Sequence, residues 1–154
     1  MPDPRNRSLG IAWILLCLAL ALHVFDEATT GFLAVYNPTV QALREKLGWW
    51  PMPTFGFNDW LSALIVGCVL LLALSPVMFA GAHWLRIPAA IFAILMLLNA
   101  VGHTLFTILG HTVSSVTFPR PAPGFWSSPL LAAASIYFLW ELRRTRGMAR
   151  PTDS

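Results

Sequence analysis

The chain has 154 residues, of which 56% are hydrophobic and only 11% are charged. A soluble globular domain averages about 25% charged residues, so this chain has too few charges to cover a water-facing surface. We therefore predict one integral membrane domain. The formal net charge of +3 does not indicate nucleic-acid binding, because the Lys and Arg residues stand at the ends of apolar segments and not on one face.

Four apolar segments are candidates for membrane spans. About 20 residues cross the hydrocarbon core as a helix, and lipid offers the backbone no hydrogen-bond partners, so each span must be helical. The predicted fold is an all-α bundle of four transmembrane helices. The predicted spans are residues 9–36, 60–80, 87–109 and 126–142, between an N-terminal tail 1–8 and a basic C-terminal tail 143–154.

The distribution of basic residues predicts the orientation. An N-terminus on the inside places seven Lys and Arg residues inside and three outside. Basic residues favour the cytoplasmic side, so we expect both termini inside, in a multi-pass protein of a bacterial inner membrane. The inside set is Arg5, Arg7, Arg86, Arg143, Arg144, Arg146 and Arg150, and the outside set is Arg44, Lys46 and Arg120.

The first span has an alternative interpretation. Arg5 and Arg7, a short apolar region and the sequence Ala19-Leu20-Ala21 resemble a secretory signal peptide with its cleavage site. Cleavage would leave three spans with the same orientation. We favour a retained span, because apolar and small residues resume after the polar cluster and continue to Tyr36.

Two long loops are predicted on the outer side. The first, 37–59, contains Val40, Leu43 and Leu47 at helical spacing, which predicts a short amphipathic helix. The second, 110–129, is rich in proline and predicts an ordered, non-helical segment.

The sequence His23-Val-Phe-Asp26-Glu27 follows fourteen unbroken apolar residues, Leu9 to Leu22. Each ionised group in such a stretch costs roughly 2.5–3.5 kcal/mol on insertion scales. The spacing i, i+3, i+4 places the three side chains on one face of a helix. A membrane helix retains such groups only where they pair, bind a ligand or line a wet cavity.

The third span carries Asn99 and His103, again at i, i+4. Measured from the start of its span, His103 lies at nearly the same depth as His23, roughly 21–24 Å along the helix. We therefore expect His23, Glu27 and His103 to bind a divalent metal, Zn or Fe(II), as in bundle-core sites built from Glu and His.

Four further residues have predicted roles around this site. Asp26 is a ligand or a base, so Asp26 and Glu27 are the candidate catalytic residues. Asn99 and Asp59 are the candidate supporting partners, although Asp59 is more simply a helix cap at the start of the second span. His111 is also within reach, although an exposed position is the simpler interpretation. A buried hydrogen-bonded network that fixes helix register is the structural alternative for the whole set.

At these residues the chain resembles the HXXEE domain family of small integral membrane proteins, whose pattern is H-x-x-E-E, N-A-x-x-H and Y-x-P-G-x-x-T. The first motif has Asp26 for its first Glu, and the second matches in full from Asn99 to His103. The third has Pro121 for Tyr and Ser127 for Thr, around Pro123 and Gly124. Order and spacing agree across most of the chain. The resemblance implies no established activity, but the turn at Pro123 and Gly124 is expected at the edge of a lid over the site, with Ser127 and Ser128 capping the fourth span.

A fainter likeness is to the four-helix superfamily of sterol isomerases and the sigma-2 receptor. The segment Trp84-Leu-Arg86-Ile-Pro88 resembles its second cytoplasmic turn. Proteins of that superfamily use carboxylates and imidazole in a lipid-facing cavity without metal, and the likeness implies the same option here.

Three functions are consistent with these residues. The first is a membrane metalloenzyme that acts on a lipid or a small apolar molecule. The second is a metal-free acid–base enzyme, such as an isomerase of a sterol-like or isoprenoid substrate. The third is a lipid or ligand receptor or a proton relay, and a conducting role would require an oligomer. No Walker, Rossmann, Ser-nucleophile or kinase pattern is present, which argues against nucleotide chemistry.

Overall fold

The structure is a computed structural model that describes residues 4–113 and 116–147. Within these residues the chain is helical and has no β-strand, apart from an isolated bridge between His111 and Thr117. The predicted all-α fold is confirmed. The helices are α1 (Pro4–Thr30), α2 (Leu33–Leu47), α3 (Phe57–Ala73), α4 (Ser75–Phe79), α5 (His83–Leu109) and α6 (Ser128–Gly147).

Three helical segments in the described part of the chain are long and apolar enough to cross a membrane. They are α1, α5 and the continuous segment Phe57–Phe79, in which α3 and α4 meet at Leu74. Pro76 lies in the first turn of α4 and accounts for this break, since proline cannot donate a backbone hydrogen bond. The 20-residue α6 is less apolar because its last turns carry Glu141, Arg143 and Arg144.

The first predicted span, 9–36, contains two helices instead of one. Gly31 separates α1 from α2 and has a φ of 80°, in the left-handed region that glycine adopts without strain. Helix α1 also begins at Pro4 and therefore includes part of the predicted tail 1–8. The short helix predicted in the outer loop is present as α2, which begins at Leu33 and ends at Leu47.

Helix α1 lies at the centre of the packing and contacts α3, α4 and α6, while α6 also packs along α5. The Trp13 ring lies 5.8 Å from the Phe92 ring and 5.6 Å from the Phe138 ring. Its indole N–H donates to the carbonyl of Leu71 at 3.0 Å, so one buried aromatic residue connects α1 with three neighbouring segments.

Helix α2 is held at the end of the bundle where α1 and α5 both end, which we call the α2 end. The Tyr36 hydroxyl donates to the Pro53 carbonyl at 3.1 Å, and the Asn37 amide donates to the Phe55 carbonyl at 2.9 Å. The hydroxyls of Thr39 and Thr112 lie 2.7 Å apart. These bonds place α2 beside the last turns of α5.

Candidate metal centre

Three buried side chains from two helices meet near the α2 end. His23 and Glu27 lie one turn apart on α1, and His103 comes from α5. One ligand atom from each lies within 4.8 Å of the others. Glu27 Oε1 is 3.0 Å from His103 Nε2 and 3.5 Å from His23 Nε2. The structure therefore brings together the three residues that the sequence predicted as metal ligands.

The spacing of these atoms suits a metal ion. Zinc binds His nitrogen and carboxylate oxygen at about 2.0–2.1 Å, so adjacent ligand atoms of a tetrahedral site are about 3.3 Å apart. The distances of 3.0 and 3.5 Å bracket that value. Three protein ligands and an open position are also the usual arrangement of a catalytic zinc site.

Asp26 lies beside this group but is bonded to α6. One of its oxygens, Oδ2, accepts hydrogen bonds from the backbone N–H and the hydroxyl of Ser127, both at 2.8 Å. The Ser127 hydroxyl also lies 2.8 Å from His23 Nδ1. Asp26 therefore reaches the metal centre through Ser127 and His23, at the turn where α6 begins.

The hydrogen-bond partners of His23 determine its tautomer. The Asn99 amide nitrogen lies 2.9 Å from His23 Nε2 and can only donate, so the proton of a neutral His23 is on Nδ1. His23 Nδ1 must then donate to Ser127, which leaves a lone pair on Nε2. That lone pair, to which Asn99 donates, also lies 3.5 Å from Glu27 Oε1, so a cation that replaced the amide would contact both atoms. Metal-binding histidines are commonly oriented in this way.

Asn99, which the sequence predicted as a supporting partner, contacts His23. Its amide nitrogen lies 2.9 Å from His23 Nε2 and donates to the lone pair. A metal bound at His23 Nε2 would replace this hydrogen bond, and the Asn99 amide would then be free to bond to another ligand. Asn99 is half-buried.

His103 has one nitrogen bonded and one without a partner. Its Nε2 faces Glu27, whereas its Nδ1 is buried and has no hydrogen-bond partner among the described residues. The ring lies 4.8 Å from the His23 ring, edge to face, and 5.9 Å from the Phe32 ring. A buried nitrogen without a partner is uncommon in a protein interior.

The predicted lid turn lies directly against the centre. Gly124 has a φ of 80°, and a Cβ added there would come within 2.8 Å of His103 Cε1 and 3.0 Å of Glu27 Cγ. Glycine is required here because of the left-handed φ and because there is no room for a Cβ. Pro123 beside it is also buried.

The turn is held in place by hydroxyl groups. The Gly124 N–H donates to Thr30 Oγ1 at 3.2 Å, and the Gly124 carbonyl accepts from Ser128 Oγ at 2.7 Å. Thr107 Oγ1 accepts from the Ala122 N–H at 2.9 Å. No pattern in the sequence indicated a role for Thr30 or Thr107. Ser127 was recognised only as a helix cap, and its bridge between Asp26 and His23 was missed.

Two residues considered for the site lie apart from it. Asp59 is exposed in the first turn of α3, where Gly56 is the N-cap. His111 is exposed beyond the end of α5. Asp59 has no counterpart in the contacts of the candidate centre, and it is not the helix cap either, because Gly56 is the N-cap of α3 and no side chain caps this helix. The exposed position of His111 agrees with its simpler interpretation.

An apolar cavity of about 520 Å³ lies between α2 and α5, next to the metal centre. His103 and Asn99 form part of its wall, so the cavity and the centre share these two residues. The described residues that line it are Phe32, Val35, Tyr36, Thr39, Leu95, Leu98, Asn99, Gly102, His103, Phe106, Thr112 and Phe118.

No protein-family model, curated protein or solved structure matches this chain.

Proposed function

We propose that this protein is an integral membrane enzyme whose His23, Glu27 and His103 bind a divalent metal, Zn or Fe(II). Its substrate is a lipid or a small apolar molecule. The observation that supports this most directly is that one ligand atom from each of these three buried side chains lies within 4.8 Å of the others. A metal ion here would coordinate Glu27 and both imidazoles.

The membrane arrangement is part of the proposal. We propose α6 as a fourth span, with both termini inside a bacterial inner membrane. Its packing between α1 and α5 supports this, because a helix that completes the bundle must cross with the others. The buried positions of Leu9, Trp13 and Leu16 support a retained first span, since removal of α1 would expose the core.

Contacts between residues of all three motifs support the family resemblance. Glu27 of the first motif contacts His103 of the second, and Asp26 of the first contacts Ser127 of the third. Gly124 of the third motif packs against both His103 and Glu27. Segments that are far apart in sequence therefore form one site, as expected of motifs with a shared role.

The chemistry follows from the positions of the residues. A bound metal would polarise a substrate oxygen or activate water. Asp26 would position His23 through Ser127, and Glu27 would act as a ligand that can also hold a proton. Substrate would reach the centre from the cavity, past Asn99 and His103.

Metal analysis of the full chain, purified in detergent, tests the proposal. We expect about one equivalent of metal in the wild type and a large loss in His103→Ala and Glu27→Gln, because three ligands are needed for tight binding. His111→Ala is the matched control, since this histidine is exposed and lies outside the centre. A metal content well below one equivalent in folded wild type, or equal content in all variants, would overturn the proposal.

The metal-free acid–base enzyme is the second candidate, and one contact favours it. His103 Nε2 lies 3.0 Å from Glu27 Oε1, which is a good hydrogen bond without any metal. A proton held between His23 and Glu27 would then replace the cation. Activity that survives exhaustive chelation would favour this candidate over the metalloenzyme.

A further inference from the structure

We infer that the cavity between α2 and α5 binds the single hydrocarbon chain of a neutral lipid and presents its oxygen-bearing end to Asn99 and His103. The inference deepens the proposed function, on which it rests, because it names the class of substrate. The lipid enters sideways from the membrane and not from water.

The position of the cavity supports access from the membrane. Leu95 and Leu98 form part of its wall, and they are 53% and 61% exposed on α5. Because α5 is one of the helices able to cross a membrane, its exposed apolar face contacts acyl chains. The cavity therefore opens where lipid is the solvent.

The volume of the cavity fits one chain. A space of about 520 Å³ beside Asn99 and His103 admits one long alkyl or isoprenoid chain. The volume is also within the range of about 300–1,000 Å³ typical of small-molecule sites.

The polar groups of the wall predict where the oxygen lies. The Tyr36 hydroxyl is bonded to Pro53, and the Thr39 and Thr112 hydroxyls are bonded to each other. Asn99 and His103 are the wall residues that also contact the metal centre. None of the described lining residues carries a fixed charge, so the cavity favours a neutral chain with its functional group at these two residues.

Gly102 controls the width of the cavity. It lies in the wall on α5, and a Cβ added there would have Phe106 Cε2 as its nearest neighbour, at 3.7 Å, an ordinary contact. Gly102→Leu would thus preserve the helix and fill the cavity. Gly67 in α3 has no neighbour within 4 Å of its Cβ position, and Gly67→Leu is the matched control for the same change elsewhere in a membrane helix.

Photolabelling in nanodiscs tests the inference. The probe is a long-chain fatty alcohol with a diazirine at the end of its chain, and a diacyl phosphatidylcholine with the same diazirine is the comparison. Mass spectrometry locates the labelled residues. We expect the fatty alcohol to label α2 and α5 at the cavity, and unlabelled fatty alcohol to compete. Gly102→Leu should reduce this labelling by about tenfold, as overpacking of a binding site does, and Gly67→Leu should not.

The metal content of the same preparations separates this inference from the proposed function. Cavity labelling that Gly102→Leu abolishes, in protein without metal, would overturn the metalloenzyme and retain the lipid site. Labelling spread evenly over the exposed faces, or not reduced by competing fatty alcohol, would overturn the lipid site whatever the metal content. Preferential cavity labelling by the diacyl lipid would also overturn it.

Discussion

Ser127→Ala is the substitution that most directly tests the organisation of the site. It removes the hydroxyl that accepts from His23 Nδ1 and donates to Asp26 Oδ2, both at 2.8 Å. His23 Nδ1 then loses its hydrogen-bond partner. Loss of such an indirect support typically costs about 10–100-fold in metal affinity. We expect metal binding to weaken by that factor while all three ligands remain.

The same substitution should have a limited effect on folding. Asp26 retains the hydrogen bond from the Ser127 backbone N–H, but the hydroxyl loses its bond to Asp26, worth about 1.5–3 kcal/mol, and its bond from His23, worth about 1 kcal/mol. The free energy of unfolding should fall by about 2–4 kcal/mol. The bundle should therefore remain folded under conditions where the metal affinity is measured.

The assay is a metal titration against a competing chelator, with thermal unfolding measured on the same samples. Ser128→Ala is the matched control, because its hydroxyl donates to the Gly124 carbonyl and does not contact His23. Ser127→Thr keeps the hydroxyl and should restore affinity. Unchanged affinity in Ser127→Ala, or an equal loss in Ser128→Ala, would refute the role assigned to the Asp26–Ser127–His23 chain.

Three further predictions concern the lid, the core and pH. Gly124→Ala should lower both the melting temperature and the metal affinity, because the new Cβ would meet His103 and Glu27. Gly31→Ala is the control, since Gly31 has the same φ of 80° but no neighbour within 4 Å. It should incur only the backbone cost of about 1–2 kcal/mol. Trp13→Ala should lower the free energy of unfolding by about 3–5 kcal/mol in denaturant titrations, since the ring packs between Phe92 and Phe138. Bound metal, measured after dialysis, should fall as the pH is lowered, because imidazoles and carboxylates bind metal only in the deprotonated form. Metal retained at low pH would contradict the ligand set.

The meeting of the three candidate metal-binding residues could be predicted because helix geometry fixes their positions. His23 and Glu27 share a face at i, i+4, and the match in depth with His103 follows from the rise of 1.5 Å per residue. The partner of Asp26 could not be predicted in this way. Ser127 lies 101 positions away, and its contact depends on how α6 packs against α1, which hydropathy does not determine.

The bounds of the first span were harder to predict for a different reason. Apolar residues continue through Gly31 to Tyr36, so composition gives no sign of the break. The left-handed φ of Gly31 directs α2 away from α1 and places Phe32 against His103. One side of the cavity therefore depends on a single backbone angle. For Asp59 the error was the opposite one: a supporting role was predicted from its nearness to the end of a span, but the residue lies outside the site.

Asp26 and Glu27 are adjacent carboxylates inside a membrane helix, and each needs its own stabilising partners. The partners of the two carboxylates differ. Each costs roughly 2.5–3.5 kcal/mol to place in the hydrocarbon region. Asp26 accepts two hydrogen bonds from Ser127, each worth about 1.5–3 kcal/mol for a charged group, so its cost is offset within the protein. Glu27 has the His103 bond at 3.0 Å, but it faces a lone pair of His23 at 3.5 Å. Since consecutive helical residues point about 100° apart, one carboxylate reaches α6 and the other reaches α5. A cation bound among His23, Glu27 and His103 would therefore offset the burial of Glu27, whereas the bonds from Ser127 already serve Asp26.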